Sequence, residues 1–371
     1  MEKCLKKPLI IPFFIPHAGC PFTCVFCNQW KISGAEAAVR PEQIGFYVAE
    51  YLKGARKWPG RQVEIAFYGG SFTALSPESQ TAYLQAAAEL KRKGLIDGLR
   101  LSTRPDFITE EIVERLLAFG VTTVELGVQS LVDEVLRQSC RGHTADAARN
   151  ALLLLRRYPL AVGYQLMLGL PGDNPAFARL TLKKAVQDAP DFVRIYPALV
   201  LKGTTLAAWY QEKKYQPWDL ELAVETAAEW LGTFACYQIP VIRLGLQAAD
   251  NFTREKDLLA GPYHPAFGEL VESRLFLRQI ETGLARLAHR EYQLLRISFH
   301  PAARSKVLGQ KKSNADYLRR QYHFSALHFT GDAQLAEDDL IISNAFQSIP
   351  IKRKEFLKKY RIEDIEQSGD C

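Results

Sequence analysis

The sequence predicts an α/β fold, a partial (β/α)6 barrel of the TIM type followed by a smaller α+β C-terminal extension. Two observations lead to this prediction. From about Leu9 to Leu246, short runs rich in β-branched and aromatic residues alternate with amphipathic helical patterns, which is typical of a parallel sheet built from β/α units. After Leu246 the alternation stops, because residues 247–265 are polar and interrupted by Pro and Gly.

The elements of the barrel follow one another in a regular order. The predicted strands are residues 9–15, 63–68, 99–103, 123–128, 161–168 and 192–197. The helical patterns between them cover residues 41–53, 77–93, 109–119, 144–157 and 174–189. Several of these helices open with Pro or with a Ser, Thr or Asn that can accept a hydrogen bond from the first turn.

The change of pattern places a domain boundary near Asp250. We expect a core domain over residues 1–249 and an extension over residues 250–371, with a role for the extension in substrate or RNA binding. The extension is predicted to be α+β because it combines helical and strand-like patterns. They cover residues 267–289 (helix), 293–299 and 325–330 (strands) and a charged terminal helix.

Composition narrows the class of protein. A chain of 371 residues is long enough for one large α/β domain and an appendage. Its 47% hydrophobic and 24% charged residues are ordinary for a globular protein, which excludes a disordered or fibrous chain. The net charge of +6 permits an anionic partner, such as RNA or a phosphorylated small molecule, without requiring one.

The N-terminus resembles a secretion signal, since three lysines precede the apolar run at residues 9–15, but Pro12 and Pro16 interrupt that run. No later stretch approaches the roughly 18 unbroken apolar residues of a membrane helix. Seven cysteines, an odd number and mostly scattered, do not form a disulfide framework. We therefore expect a cytoplasmic protein without a membrane partner.

Three cysteines lie directly after the first predicted strand, where barrel enzymes place their chemistry. Cys20, Cys24 and Cys27 form a C-x3-C-x2-C run. Three thiolates can bind three irons of a cubane [4Fe-4S] cluster and leave the fourth iron open to a bidentate ligand. The alternative is a zinc knuckle, for which His17 could supply the fourth ligand. The other cysteines show no spacing motif; they are Cys4, Cys140, Cys236 and Cys371.

Glycine and polar residues lie on the later strands or after their ends. They are Gly69, Gly70, Ser71, Arg104, Gln129, Arg141 and Gln165. Because the carboxyl ends of barrel strands converge on one mouth, we expect these residues to surround a ligand above the cysteines. The alternative is structural: a Gly-Gly pair usually marks a turn, Arg104 can pair with Asp106, and Thr144 can cap a helix.

The cysteine run, with Phe26 before its last cysteine, resembles the signature of the radical S-adenosylmethionine (SAM) superfamily. The resemblance implies a barrel of the radical SAM type in which SAM chelates the open iron. An electron donor such as flavodoxin or ferredoxin reduces the cluster, and SAM is cleaved to a 5′-deoxyadenosyl radical that abstracts hydrogen from the substrate. It also implies that Phe26 lies near the adenine of SAM.

Further parts of the superfamily pattern can be matched residue by residue. Gly69, Gly70 and Ser71 are similar to its Gly-Gly-Glu element, with Ser71 in place of the acid. Gln129 and Arg141 resemble SAM-contacting positions of the oxygen-independent coproporphyrinogen oxidase branch. That branch has an acid as its ribose contact where this chain has Gln165.

Between about residues 10 and 218 the chain resembles the Elongator catalytic subunit, and five short sequence motifs together carry this resemblance. They are residues 103–106, 125–130, 141–144, 169–172 and 195–204. That family modifies the wobble uridine of tRNA with the help of a fused acetyltransferase domain. We expect this chain to lack the acetyltransferase domain, because too few residues follow Asp250 and no loop for a coenzyme A pyrophosphate is visible.

A basic stretch at residues 301–325 keeps RNA among the expected partners. It contains Arg304, Lys306, Lys311, Lys312, Arg319 and Arg320 against the single acid Asp316, with Tyr317, Tyr322 and Phe324 between them. Cations suit phosphates and aromatic rings suit bases, although a solvated surface has the same composition.

Three hypotheses for function follow. The first is a radical SAM enzyme that modifies tRNA or another RNA. The second is a radical SAM enzyme that acts on a small molecule or tetrapyrrole. The third is a binding protein with a structural iron–sulfur cluster or zinc. No catalytic residue is assigned, because radical abstraction needs a positioned C–H bond more than a tuned acid or base.

Overall fold

The computed structural model describes residues 8–34, 37–55, 60–246, 253–287, 294–322 and 324–363. Contacts divide the chain into two units, Met1–Pro217 with Gln247–Gly261, and Trp218–Leu246 with Pro262–Cys371. The predicted boundary near Asp250 lies outside the described residues. Residues 218–246, which the sequence pattern assigns to the core domain, group with the C-terminal part of the chain.

The first unit contains six strands that pair in parallel and in chain order. They are β1 (Leu9–Phe14), β2 (Val63–Tyr68), β3 (Gly98–Thr103), β4 (Val121–Gln129), β5 (Ala161–Leu168) and β6 (Phe192–Pro197). All six predicted strands are confirmed, with ends that differ by at most two residues. The sheet curls into a half-barrel surrounded by helices, so the predicted partial barrel is confirmed.

Seven further strands lie outside this parallel set among the described residues. They are β7 (Val200–Leu201), β8 (Val241–Leu244), β9 (Leu258–Ala260), β10 (Leu294–Phe299), β11 (Ala326–Gly331), β12 (Leu340–Ser343) and β13 (Ser348–Ile351). In the first unit β7 pairs with β9 in antiparallel fashion.

The α-helices in chain order are α1 (Gln29–Ser33), α2 (Ile44–Ala55), α3 (Pro77–Arg92), α4 (Glu110–Ala118), α5 (Asp133–Gln138), α6 (Ala145–Leu155), α7 (Pro175–Asp188), α8 (Thr205–Gln211), α9 (Leu220–Cys236), α10 (Arg254–Asp257), α11 (Phe267–Arg286), α12 (Arg304–Leu308), α13 (Ser313–Tyr322) and α14 (Arg353–Phe356). The sequence signals for helix starts are confirmed. Ser76, Thr109, Thr144 and Asn174 each accept a backbone N–H of the first turn. Among the described helices none is long and apolar enough to cross a membrane.

The second unit is built on a four-stranded sheet in the order β11-β10-β12-β13. β10 pairs in parallel with β11 and antiparallel with β12. Alternate residues of β10 and β12, among them Ile297, Phe299 and Ile342, form a core with Phe276 and Ile280 of α11. The predicted α+β character of this part is confirmed, whereas the hairpin of β12 and β13 was missed because both strands are only four residues long.

Candidate functional site

The three cysteines lie in a loop between β1 and α1. Two reciprocal hydrogen bonds join the residues that flank the cysteines. The backbone N–H of His17 donates to Gln29 Oε1 at 2.6 Å, and the backbone N–H of Gln29 donates to His17 Nε2 at 3.1 Å. His17 was the alternative zinc ligand. Its Nε2 instead helps to close the loop that carries Cys20, Cys24 and Cys27.

Val25 anchors the middle of the cysteine loop. Its N–H donates to the Ser139 carbonyl at 3.2 Å, and its carbonyl accepts the N–H of Leu206 at 2.8 Å. The Val25 side chain is fully buried in an apolar cluster with Val200 and Leu206. Backbone contacts and burial therefore fix the loop independently of any ligand.

The thiols lie close enough to influence one another. Burial and the neighbouring Cys24 raise the pKa of Cys20, and burial with the same neighbour raises the pKa of Cys27 to about 12. Arg141 Nη1 donates to Cys24 Sγ at 3.3 Å, and Cys24 is only 8% exposed. Thiolates that repel one another are stabilised by bound iron, so this environment suits a cationic ligand that displaces the thiol protons.

Three thiols in one loop are the donor set that a [4Fe-4S] cluster with one open iron takes. Among the described residues, no three His, Cys, Asp or Glu side chains converge on one metal-ion position. In a [4Fe-4S] cluster each thiolate binds a different iron, so its three protein ligands do not share one metal position.

The Gly-Gly turn after β2 packs against the start of the cysteine loop. A Cβ atom at Gly70 would lie 2.2 Å from the Ala18 carbonyl oxygen, and Gly69 has φ of +99°. The N–H of Ser71 donates to the same Ala18 carbonyl at 2.9 Å. Glycine is therefore required here to bring strand β2 and the cysteine loop together.

Ser71 and Arg104 form part of one buried network. Ser71 Oγ lies 3.0 Å from Thr103 Oγ1 and accepts the N–H of Arg104 at 3.2 Å. Arg104 donates two hydrogen bonds to Asp106, at 2.9 and 2.8 Å. This confirms the alternative in which Arg104 pairs with Asp106. The Nη1 of Arg104 is buried without a partner among the described residues, so this nitrogen can donate to a ligand.

The side chains of Gln129 and Arg141 both lie next to Gly127. A Cβ atom at Gly127 would lie 2.7 Å from Arg141 Nη2 and 3.1 Å from Gln129 Nε2. Arg141 Nη2 also donates to the Gly127 carbonyl, while its Nε is buried without a partner in the described structure. This places Gln129 close to the arginine that contacts Cys24.

His143 lies beside this arginine. Its Nδ1 is 3.1 Å from the Thr144 carbonyl, and its Nε2 is buried without a partner in the part of the chain that the structure describes. Burial and the charge of Arg141 lower the pKa of His143 to about 4. The ring is therefore neutral near pH 7. Thr144 caps α6, as predicted.

Gln165 points into a polar network that the sequence analysis missed. Its Nε2 donates to Glu125 Oε2 at 2.9 Å and to Ser102 Oγ at 3.0 Å. Because both bonds use the amide nitrogen, the amide oxygen is the acceptor that Gln165 offers. An amide oxygen can accept a hydrogen bond from a hydroxyl group.

Glu125 is the centre of this network and is fully buried. It accepts a hydrogen bond from the Tyr68 hydroxyl at 3.0 Å, and it forms salt bridges with Arg100 and Arg194, each at 2.9 Å. Glu64 pairs in turn with Arg100 at 2.7 Å. Two carboxylates thus balance two guanidinium groups.

The same network shows which way its side chains face. Arg194 of β6 donates to the Tyr68 hydroxyl of β2 at 2.6 Å. Strands four places apart in a flat sheet are separated by roughly 19 Å. Direct contact therefore requires that these side chains face the interior of the curled sheet. A usable sequence signal existed, because parallel strands covered on both faces are normally apolar throughout and these are not.

Phe26 occupies a different environment from the polar residues. Its side chain is partly buried and packs against apolar clusters that contain Val25 and Val135. Packing of this kind fixes the backbone between Cys24 and Cys27.

Two family comparisons cover most of the chain. Residues 14–183 match the Radical SAM superfamily, and residues 190–276 match the Radical_SAM C-terminal domain. Every predicted ligand-binding residue lies within the first match. This family implies SAM and an iron–sulfur cluster as cofactors.

Curated relatives confirm the likeness to the Elongator catalytic subunit. The chain is 32% identical over 187 residues to the tRNA uridine(34) acetyltransferase of Methanocaldococcus jannaschii, which covers 45% of this chain and 35% of that protein. It is 27% identical over 233 residues to Elongator complex protein 3 of Bos taurus, covering 53% and 42%. The chain therefore spans less than half the length of these relatives.

A solved structure shows the same fold. Methanocaldococcus infernus Elp3 with an N-terminal deletion superposes with a TM-score of 0.57 at 21% identity, covering 73% of this chain and 63% of that one. The solved structure shows that the fold is shared. The two family matches, together with the cysteine loop, show that this chain belongs to the radical SAM superfamily of enzymes.

Proposed function

We propose that Cys20, Cys24 and Cys27 hold a [4Fe-4S] cluster and that the enzyme cleaves SAM reductively in order to modify an RNA substrate. The observation that carries this proposal is the cysteine loop, closed by His17 and Gln29 and contacted by Arg141. When bound, such a cluster supplies one electron to SAM, which yields a 5′-deoxyadenosyl radical. A flavodoxin or ferredoxin is the proposed electron donor.

The residues around the loop divide the recognition of SAM among them. Arg104 and Arg141 each keep a buried N–H donor, which suits the carboxylate of SAM. The amide oxygen of Gln165 suits a ribose hydroxyl, and Gln129 contributes a second amide beside Arg141.

The remaining predicted contacts act through the backbone or through a neighbour. Ser71 uses its hydroxyl to hold Arg104. Gly69 and Gly70 allow the backbone after β2 to approach the loop, where it can accept the amino group of SAM. Phe26 fixes the backbone next to the adenine.

Two observations favour RNA as the substrate. Two of the curated relatives are named tRNA uridine(34) acetyltransferase and Elongator complex protein 3. In addition, the interior network of Glu64, Arg100, Glu125 and Arg194 is balanced in charge. A balanced interior favours an uncharged group such as a nucleobase over a tetrapyrrole with several carboxylates.

The test is anaerobic reconstitution of the protein with iron, sulfide, SAM and a reductant. We expect 5′-deoxyadenosine, measured by mass spectrometry, to increase when an RNA fraction is added and to fall when that fraction is first treated with ribonuclease. Equal stimulation by a metabolite fraction free of nucleic acid would favour a small-molecule substrate. Zinc without iron in the purified protein would contradict the cluster.

A further inference from the structure

The loop between α12 and α13 in the second unit holds two lysines in an unusual conformation. Lys311 and Lys312 are exposed and have φ of +51° and +65°. This left-handed region is unfavourable for a residue that carries a Cβ atom, and Gly or Asn normally occupies it. Both family matches end before this loop, since the second of them stops at residue 276.

Buried contacts hold the loop in place. Asn314 is only 6% exposed, and its Nδ2 donates to the Ser273 carbonyl at 3.0 Å and to the Val307 carbonyl at 3.2 Å. The N–H of Lys312 donates to the Gly309 carbonyl at 2.9 Å. A Cβ atom at Gly309 would lie 2.8 Å from the backbone nitrogen of Asn314, so the two ends of the loop are in close contact. The fold thus presents both lysines to solvent from a rigid base.

The cations around the loop differ in whether acids neutralise them. Lys306 pairs with Glu272, and Arg319 pairs with Asp316 at 2.9 Å. Within the described residues, Arg304, Lys311, Lys312 and Arg320 are exposed and form no ion pair with an acidic side chain. We call these four residues the basic platform. Its charge is available to an external anion.

The neighbouring helix indicates what kind of anion fits. The apolar side chains Ala315 and Leu318 of α13 are buried, whereas its exposed side carries Asp316, Arg319 and Gln321. Such a helix offers no apolar face for insertion into a lipid surface. Exposed cations on a rigid base suit the phosphates of a nucleic acid, and Tyr317 of the same helix α13 is 37% exposed.

We propose that the basic platform binds the phosphate backbone of RNA. The choice of RNA as the polyanion rests on the proposed function, whereas the surface itself rests on the loop and its unpaired cations.

The test compares Lys311→Asn/Lys312→Asn with Lys213→Asn in the full-length, reconstituted protein. Asn tolerates the left-handed conformation, so the loop should keep its shape. Lys213 is a matched control, because it is also exposed and left-handed, with φ of +58°, but lies after α8 in the first unit. Thermal unfolding of both variants should match that of the unaltered protein.

Binding is measured by fluorescence anisotropy with an unmodified tRNA transcript at several salt concentrations. We expect the double variant to bind about tenfold more weakly than the Lys213→Asn control. The slope of log affinity against log salt should fall by about 1.5, since two phosphate contacts are lost. Equal affinity and equal slope in the two variants would overturn the proposal.

SAM cleavage on the same samples separates the two proposals. If RNA binding depends on the lysines but RNA does not stimulate 5′-deoxyadenosine formation, the platform stands and the proposed function fails. If RNA stimulates cleavage but both variants bind it equally, only the platform fails. Binding of vesicles of phosphatidylserine and phosphatidylcholine without binding of tRNA would overturn the platform in favour of a membrane surface.

Discussion

The two units use charge in opposite ways. In the first unit, Glu125, Arg100 and Arg194 are buried and bonded to one another. In the second unit, Lys311 and Lys312 are exposed and form no ion pair within the described chain. Buried pairs fix geometry and are little affected by salt, whereas exposed cations act at a distance and are screened. The comparison separates a buried network beside the proposed SAM site from an exposed surface that we propose attracts RNA.

The largest expected effect is the loss of a cysteine in the first unit. Replacing Cys24 with Ala removes one proposed cluster ligand and the thiol that Arg141 contacts, so iron binding and SAM cleavage should both be lost. The control is Cys140→Ala, which removes an exposed cysteine of the same unit and should preserve both. Iron content and 5′-deoxyadenosine are the measurements. Full activity of the Cys24 variant would remove the basis for assigning chemistry to this loop.

The next effect tests the buried network itself. Glu125→Gln leaves two buried guanidinium groups with too little negative charge, which should lower the free energy of unfolding by about 3–5 kcal/mol. Glu111→Gln is the control, because its pair with Arg115 is exposed and should contribute less than about 1 kcal/mol. Chemical denaturation of both variants gives the two values. Similar losses would mean that burial does not distinguish these ion pairs.

A smaller effect concerns pH in the first unit. Burial lowers the pKa of His143 to about 4, below the value near 6.5 of an unfolded chain. The unfolded state then binds the proton more tightly than the folded state. The contribution of His143 to the free energy of unfolding is therefore fully present above pH 6.5. It decreases as the pH drops toward 4, by about 3 kcal/mol in total.

The measurement is the difference in unfolding free energy between the unaltered protein and His143→Gln at pH 7 and pH 4.5. Other groups cancel in this difference, which should shift in favour of the variant at the lower pH. The control is His328→Gln, which removes an exposed histidine of the second unit. A difference that stays constant with pH would show that His143 is not buried as the structure describes.

Local patterns predicted the elements of the first unit well. The strands β2, β5 and β6 coincide with the predicted residues 63–68, 161–168 and 192–197, because β-rich runs bounded by turn residues are a local signal. Thr144 and Asn174 likewise mark helix starts that depend only on the next three residues. The cysteine spacing is a local signal of the same kind, and the cluster site that it predicts remains a prediction.

Contacts between distant residues could not be predicted in this way. Tyr68 and Arg194 are 126 residues apart and meet only because the sheet curls. The grouping of α9 with the second unit has a similar cause. Its side chains are apolar on several sides, and Trp230 and Phe234 are fully buried, so its partner becomes visible only in the folded chain.

The hydrogen bonds between His17 and Gln29, together with the anchoring of Val25, bear on how the enzyme is matured and maintained. Some metal-binding chains, such as zinc fingers, need their metal in order to fold at all. Here the loop has its own supports, so we expect the apoprotein to fold first and to receive its cluster afterwards. A cluster destroyed by oxygen could then be rebuilt on the same molecule, without unfolding and without new protein synthesis.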